Sequence, residues 1–215
     1  MAKSKFGEIS VAVDLLTFTI EDNNLKVLMI ERDEDPFKGK LALPGVFVRE
    51  DETLDGAAIR GIREETGLEG IYFEQLYTFG DIDRDPRKRI ISVSYMALVP
   101  VEQLVFKAGE RVSGAWLVDV EEILNSRDEI AFDHKQIIQV ARERLANKVE
   151  YTDIAFHLVG EEFTLPELQN VYEILLGKPV YKANFRKKMA SMIEETEYMT
   201  TGAAHRPSRL YRRVK

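Results

Sequence analysis

The chain has 215 residues, 45% of them hydrophobic and 31% charged, with no cysteine and a formal net charge of −7. This is the composition of a globular protein, long enough to build its own core as one large or two small domains. The lack of cysteine excludes disulfides, thiolate zinc sites, iron–sulfur clusters and cysteine nucleophiles. No apolar run reaches the roughly 18 residues a membrane span requires. Glu8 and Asp14 interrupt any signal-like stretch near the start. A soluble, cytoplasmic protein with no membrane partner is expected.

The charge is unevenly placed. Residues 178–215 hold ten Lys/Arg and three acids, which leaves the preceding 177 residues at −14. The basic residues alternate with Phe185, Met189, Met192, Ile193, Leu210, Tyr211 and Val214. That interleaving marks a folded basic module rather than a solubilising tail.

In chain order, residues 9–20 are β-branched and apolar, 21–24 (Glu-Asp-Asn-Asn) form a turn, and 25–31 alternate like a returning strand. Residues 53–66 read as a helix capped by Thr53 and stopped by Gly67, with Leu54, Ala57, Ala58 and Ile62 on one face. Strands are expected at 72–80, 90–99 and around Ala115–Val118, with a short helix from Val120. From 134 the pattern turns mostly helical. The first helix carries Ile137, Ile138, Ala141 and Leu145 on one face, with Asp133 as its N-cap. The second opens on the capping box Thr164–Glu167, has Pro166 in its first turn and stops at Gly177. The third starts near Asn184 and carries a buried stripe of Phe185, Met189, Met192 and Ile193. Two short strands near Glu197–Met199 and Arg209–Val214 then make a hairpin. Three helices and a basic hairpin have the layout of a winged helix-turn-helix. Two domains are expected, 1–133 and 134–215.

Residues 44–68 resemble the Nudix box, with Glu52, Arg60, Ile62, Glu64, Glu65, Gly67 and Leu68 in register. The resemblance implies an α+β fold in which a Nudix-type mixed-sheet α/β/α sandwich precedes the C-terminal winged helix-turn-helix. Two positions depart. Val46 replaces the leading glycine, and Gly61 replaces the first helix glutamate. Positions 61 and 65 share a helix face, where two carboxylates beside Glu64 would hold a hard divalent cation against a diphosphate. Gly61 removes one of the three and is a poor helix former. Glu52, Arg60, Glu64 and Glu65 therefore read as a vestigial box with no catalytic residue. Glu64 and Glu65 remain weak metal candidates or, alternatively, solvated and ion-paired helix residues. No cofactor is required on this reading, and magnesium enters only with residual hydrolase activity.

A degenerate box followed by a winged helix resembles the Nudix-related transcriptional regulators of the NrtR and AraR type. The shared segments are Asp35–Lys40, Leu41–Gly45, Phe47–Val48, Asp83–Arg87, Ala131–His134, Glu162–Leu168 and Leu175–Pro179, with His205–Tyr211 as a variant of the wing motif. The resemblance implies a homodimeric, ligand-responsive regulator that binds operator DNA and a small-molecule effector, either ADP-ribose or a pentose such as arabinose. The loop Phe79–Pro86 leans slightly toward the sugar-responsive branch. An active magnesium-dependent Nudix hydrolase of the ADP-ribose pyrophosphatase type is the competing reading, and a binding protein without DNA affinity is a third. Candidate effector contacts are Arg32, Lys40, Phe47, Arg49, Asp81, Asp83 and Arg84, with Asp133 and His134 as ligand contacts or helix start. Candidate DNA contacts are Lys182, Asn184, Arg186, Lys187 and Lys188 on the third helix and Arg206, Ser208 and Arg209 at the wing. Arg186 is assigned to a guanine edge, and the lysines to phosphates.

Overall fold

Strands β1 (Ser10–Glu21) and β2 (Asn24–Arg32) are joined by a tight hairpin whose central residues, Asp22 and Asn23, have φ of 53° and 61°. Asp and Asn tolerate this left-handed geometry, and it matches the twist of the flanking strands. The structure, a computed structural model, describes residues 8–104, 112–200 and 207–214. β1 and β2 pair only near the hairpin, from Phe18↔Val27 to Glu21↔Asn24. Beyond that point they part. β3 (Leu41–Ala42) joins β2 and β4 (Gly45–Phe47) joins β1, so the chain from 41 to 47 wedges into the fork. β1 then runs parallel to β6 (Ile90–Leu98), β5 (Tyr72–Phe79) lies antiparallel outside β6, and β7 (Val112–Asp119) lies antiparallel on β2. The result is a seven-stranded mixed sheet.

Alternation along β1 and β6 builds a core on each face. Val13, Leu15, Val93, Tyr95 and Ala97 meet Ala57, Ala58 and Ile62 of helix α1 (Leu54–Thr66). Thr53 Oγ1 accepts from Gly56 N at 3.0 Å at the start of α1, a cap worth about 1 kcal/mol. Gly67 ends the helix at φ 75°, which favours glycine. On the opposite face Leu16, Phe18, Met96 and Leu98 pack with α2 (Val120–Asn125) and α3 (His134–Lys148), through Val120, Ile123, Ile137, Ile138, Ala141 and Leu145.

The same core continues without a break into the C-terminal unit. That unit contains a 3-10 turn (Ile154–Leu158), α4 (Leu165–Leu176), α5 (Lys182–Met189) and the hairpin β8 (Ile193–Met199) and β9 (Arg209–Arg213). The Thr164–Glu167 capping box forms as the sequence predicts. α3 was expected to open the C-terminal unit. It covers the sheet and also packs on α4, so it is shared between the two. The third helix is shorter than expected. It ends at Met189, with Met192 N bonded to Met189 O, and Ile193 opens β8. Among the described residues, no helix is long and apolar enough to cross a membrane.

Candidate effector cleft and nucleic-acid surface

Glu52 and Arg60 form the firmest contact in the box. Arg60 Nη2 and Nε donate to Glu52 Oε1 and Oε2 at 2.6 and 3.1 Å, and Arg49 N adds a bond of 2.8 Å. Arg60, then burial and the Arg49 amide, set the Glu52 carboxyl, which is held at about 2. Arg60 also reaches Phe47 O at 3.0 Å and Glu64 Oε2 at 3.3 Å. The group therefore ties the helix start to β4, and Glu64 is drawn into it. Glu65 is half-buried, with Oε2 lacking a hydrogen-bond partner, and burial followed by the nearby Glu64 raises its pKa.

Gly61 is buried, and a Cβ there would stand 2.7 Å from Leu15 Cδ1 and 3.3 Å from Val46 Cγ2. A side chain at this position would require Leu15 and Val46 to shift. Among the described residues, no three His, Asp or Glu side chains converge to hold a metal ion. Position 61 carries no carboxylate and Glu64 lies 3.3 Å from Arg60, so the residues present do not fit the three-carboxylate cation site of a Nudix hydrolase.

Beside the box, cations and rings gather at one end of the sheet. Arg32, at the end of β2, lies 4.8 Å from the centroid of Phe132, and Arg87 lies 5.5 Å from the same ring. Arg87 is also 5.9 Å from the Phe47 ring, and Lys88 Nζ is 5.5 Å from it. Phe37 meets Phe132 edge to face at 4.9 Å. Asp85 fixes Arg87 through bonds of 3.0 and 2.6 Å, so the guanidinium is placed rather than loose. Burial, then the charge of Arg87, lowers the pKa of Arg32. Of the residues predicted from sequence, Arg32 and Phe47 fall in this cluster. Phe37, Arg87, Lys88 and Phe132 were missed, because they come from three separate loops and no local spacing joins them to Arg32 and Phe47.

Other predicted contacts lie elsewhere. Arg84 is buried rather than open to a ligand. Its Nε and Nη2 bond Asp133 Oδ2 and Oδ1 at 2.8 and 2.6 Å, and Nη2 bonds Asp14 Oδ2 at 3.0 Å. A guanidinium in the interior keeps its charge only if paired, and here two carboxylates hold it. Asp133 therefore precedes α3 without capping it by its side chain. His134 is buried and accepts from Leu43 N at 2.8 Å through Nδ1. Lys40 faces Glu129 at 3.3 Å, Asp81 accepts from Arg89 through its backbone carbonyl at 2.7 Å, and Asp83 and Arg49 are exposed.

In the C-terminal unit, Lys182, Asn184, Arg186 and Lys187 are exposed on α5, while Phe185 and Met189 are buried beneath them. Tyr181, just before the helix, is 85% exposed and was missed as a candidate. Lys188 is exposed as well, but its ammonium donates to Glu150 O and lies 5.3 Å from the Tyr172 ring. Arg209 pairs with Glu195 at 3.1 Å across the hairpin, so the wing strand is partly neutralised. Ser208 is exposed and bonded through its amide to Thr200 Oγ1 at 2.9 Å. Arg206 lies outside the described residues.

The NUDIX domain family matches residues 11–141, and the NrtR DNA-binding winged helix domain matches residues 155–213. The ADPR responsive transcriptional repressor NtrR of Acinetobacter baylyi is 36% identical over 214 residues, covering 98% of this chain and 84% of that protein. The ADP-ribose pyrophosphatase of Methanocaldococcus jannaschii is 42% identical over 130 residues, covering 60% of this chain and 71% of that protein. The crystal structure of Shewanella oneidensis NrtR complexed with a 27mer DNA superposes with a TM-score of 0.84 at 36% identity, covering 95% of this chain and 93% of that chain. A NUDIX domain joined to an NrtR-type winged helix accounts for the chain almost end to end, and the chain belongs to the NrtR family of Nudix-related regulators.

Proposed function

We propose that this protein is an operator-binding transcriptional repressor whose effector is ADP-ribose, bound at the cleft formed by Arg32, Phe47, Arg87, Lys88 and Phe132. The observation that carries the reading is the pair of guanidiniums on Phe132. Arg32 and Arg87 both lie over this one ring, at 4.8 and 5.5 Å, although like charges repel. Asp85 offsets only one of the two charges, and a diphosphate presents paired oxygens to the planar guanidinium donors that remain. Phe47, 46% exposed, offers a stacking face for the adenine ring. A pentose alone has no charge to match this cluster. The two curated relatives named above both carry ADP-ribose in their names, which supports the same choice.

On the DNA side, α5 enters the major groove through Lys182, Asn184, Arg186 and Lys187, and Ser208 and Arg209 meet the backbone at the wing. The protein acts as a homodimer on a palindromic operator, since one such module buries little surface on its own. It works without a cofactor, in the compartment that holds the DNA. The test is calorimetric titration of ADP-ribose and of arabinose into the wild type, Phe47→Ala and Arg87→Ala. We expect ADP-ribose alone to bind, and both variants to bind it at least tenfold more weakly. Arabinose binding, or ADP-ribose binding untouched by both substitutions, contradicts the reading. Rapid magnesium-dependent hydrolysis of ADP-ribose in the same sample would favour the hydrolase instead.

A further inference from the structure

The proposed effector site and the winged helix are joined by one helix, α3, which is pinned by specific polar contacts at its start and at its middle. At its start, Phe132 forms part of the cleft, Asp133 is clamped by Arg84, and His134 is fixed to Leu43 N. Phe132 has φ 55°, a left-handed conformation that bulky side chains rarely adopt and that persists only where the surroundings impose it. Asp133 occupies the N-cap position of α3, yet its carboxylate is given to Arg84 instead of the helix amides. Local helix stability is thus forgone to tie the start of α3 to the loop between β5 and β6. That loop also carries Asp85 and Arg87, three residues on from the clamp, so Arg84 and the cleft belong to one short segment.

Further along α3, Arg142 spans both units. Its Nη1 donates to Leu175 O at 2.7 Å, Nη2 to Ile174 O at 3.4 Å, and Nε to Glu121 Oε1 at 3.0 Å. The two carbonyls lie at the C-terminal end of α4, where helix carbonyls lack intrahelical partners. Gly177 accommodates the guanidinium closely, since a Cβ there would stand 2.9 Å from Arg142 Nη2. Just beyond α3, Glu150 O receives Lys188 of α5. The buried face of α3 lies in one core with Leu168, Leu175, Phe185 and Met189.

We propose that Asp133 and Arg142 are positioning residues that carry effector occupancy along α3, Asp133 linking the cleft loop to the helix and Arg142 linking the helix to the winged helix unit. The proposal rests on the effector reading above. A ligand seated on Phe132 and Arg87 shifts the segment that holds Arg84, the clamp passes the shift to α3, and α4 and α5 move with it. Both residues act through others and touch neither effector nor DNA.

The test measures coupling rather than binding alone. Operator affinity of the full-length protein, on DNA from upstream of its own gene, is measured by fluorescence anisotropy with and without saturating ADP-ribose. Effector affinity is measured by calorimetry with and without operator. The wild type is expected to show a change of about fivefold or more in each, and by linkage the two factors are equal. Asp133→Asn keeps the size and shape of the side chain. It is expected to bind ADP-ribose alone and operator alone within about threefold of the wild type, with a coupling factor reduced to below twofold. Arg142→Gln, two turns further along α3, is expected to do the same and carries the test should Asp133→Asn fold poorly. A wild-type coupling factor in both variants overturns the inference. If the wild type binds ADP-ribose but shows no coupling, the inference fails while the cleft stands. If ADP-ribose does not bind the wild type, the effector reading fails and the inference falls with it.

Discussion

Val46 and Gly61, the two departures from the Nudix box, stand against each other. A Cβ built on Gly61 would lie 3.3 Å from Val46 Cγ2 and 3.4 Å from Val46 Cγ1. The valine on β4 occupies the space beside α1 that a glutamate at 61 needs, and the glycine on α1 leaves room for the valine. The missing carboxylate and the extra side chain are therefore one packing arrangement between two elements.

This arrangement predicts non-additive substitutions. Gly61→Glu alone should destabilise the fold by about 1–3 kcal/mol through overpacking, with the charge of the new carboxylate adding to the cost. Val46→Gly removes two of the three nearest atoms and leaves Leu15 Cδ1, so the double variant Val46→Gly/Gly61→Glu should recover part of the loss and be more stable than the sum of the single effects. Urea unfolding of the four proteins checks this. Additive losses would show that the two residues do not share the space.

Arg84 predicts a stability loss rather than a ligand-binding loss. Its guanidinium satisfies Asp14 and Asp133, all three side chains being at most 14% exposed. Arg84→Met leaves two buried carboxylates unpaired and should cost about 3–5 kcal/mol. Lys88→Ala, on the open side of the cleft, should leave the melting temperature within about a degree and weaken effector binding. Thermal melts beside calorimetry separate the two roles.

The pH dependence has two windows of opposite origin. Burial holds His134 below its ordinary value of 6.5, so the unfolded chain takes up a proton there before the folded one does. Its contribution is complete above pH 6.5 and is lost as pH falls toward the folded value. Glu52 is held at about 2 against an ordinary 4.5, so its contribution is complete above 4.5 and is lost as pH falls toward 2. His157 is likewise held below its ordinary value by burial and adds to the upper window. Melting temperature should therefore fall in two stages on acidification, and His134→Gln should shrink the first stage while leaving the second. An unchanged upper stage in that variant contradicts the assignment to His134.

The DNA surface makes a finer prediction for the lysines of α5. Arg186→Ala should relax preference at one base position and cost roughly 1–3 kcal/mol. Lys187→Ala should weaken all sequences alike and lower the salt slope by about one. Lys188→Ala should lower the slope by less than Lys187→Ala does, because that ammonium, although exposed, is bonded to Glu150 O. Anisotropy over a salt series distinguishes the three.

Elements with a local signal were legible in the sequence. The Asp22–Asn23 turn, the Thr53 cap with Gly67, and the Thr164–Glu167 box each fit within a few residues, and each appears where expected. The stripe through Met192 and Ile193 was misread because period alone cannot distinguish a helix from a turn followed by a strand, and the chain breaks at Met189. The short strands β3 and β4 carry no periodicity of their own and form because the fork between β1 and β2 leaves edges to fill. Site residues followed the same division. Phe47 and Arg32 were visible beside the box, but Arg84 reads as an exposed loop cation until Asp14 and Asp133, 70 and 49 residues away in sequence, close on it. The aromatic partner of Arg32 and Arg87 lies at Phe132, far from both along the chain.

The account turns on whether ADP-ribose changes how this chain holds DNA. The most direct measurement is operator binding by the full-length protein, titrated with ADP-ribose in the presence and absence of magnesium, with the nucleotide recovered and identified afterwards. The account predicts a change in operator Kd of about fivefold or more, equal in both conditions, with ADP-ribose recovered intact. An operator Kd indifferent to ADP-ribose, or a response that decays with magnesium as the ligand is cleaved, would contradict it.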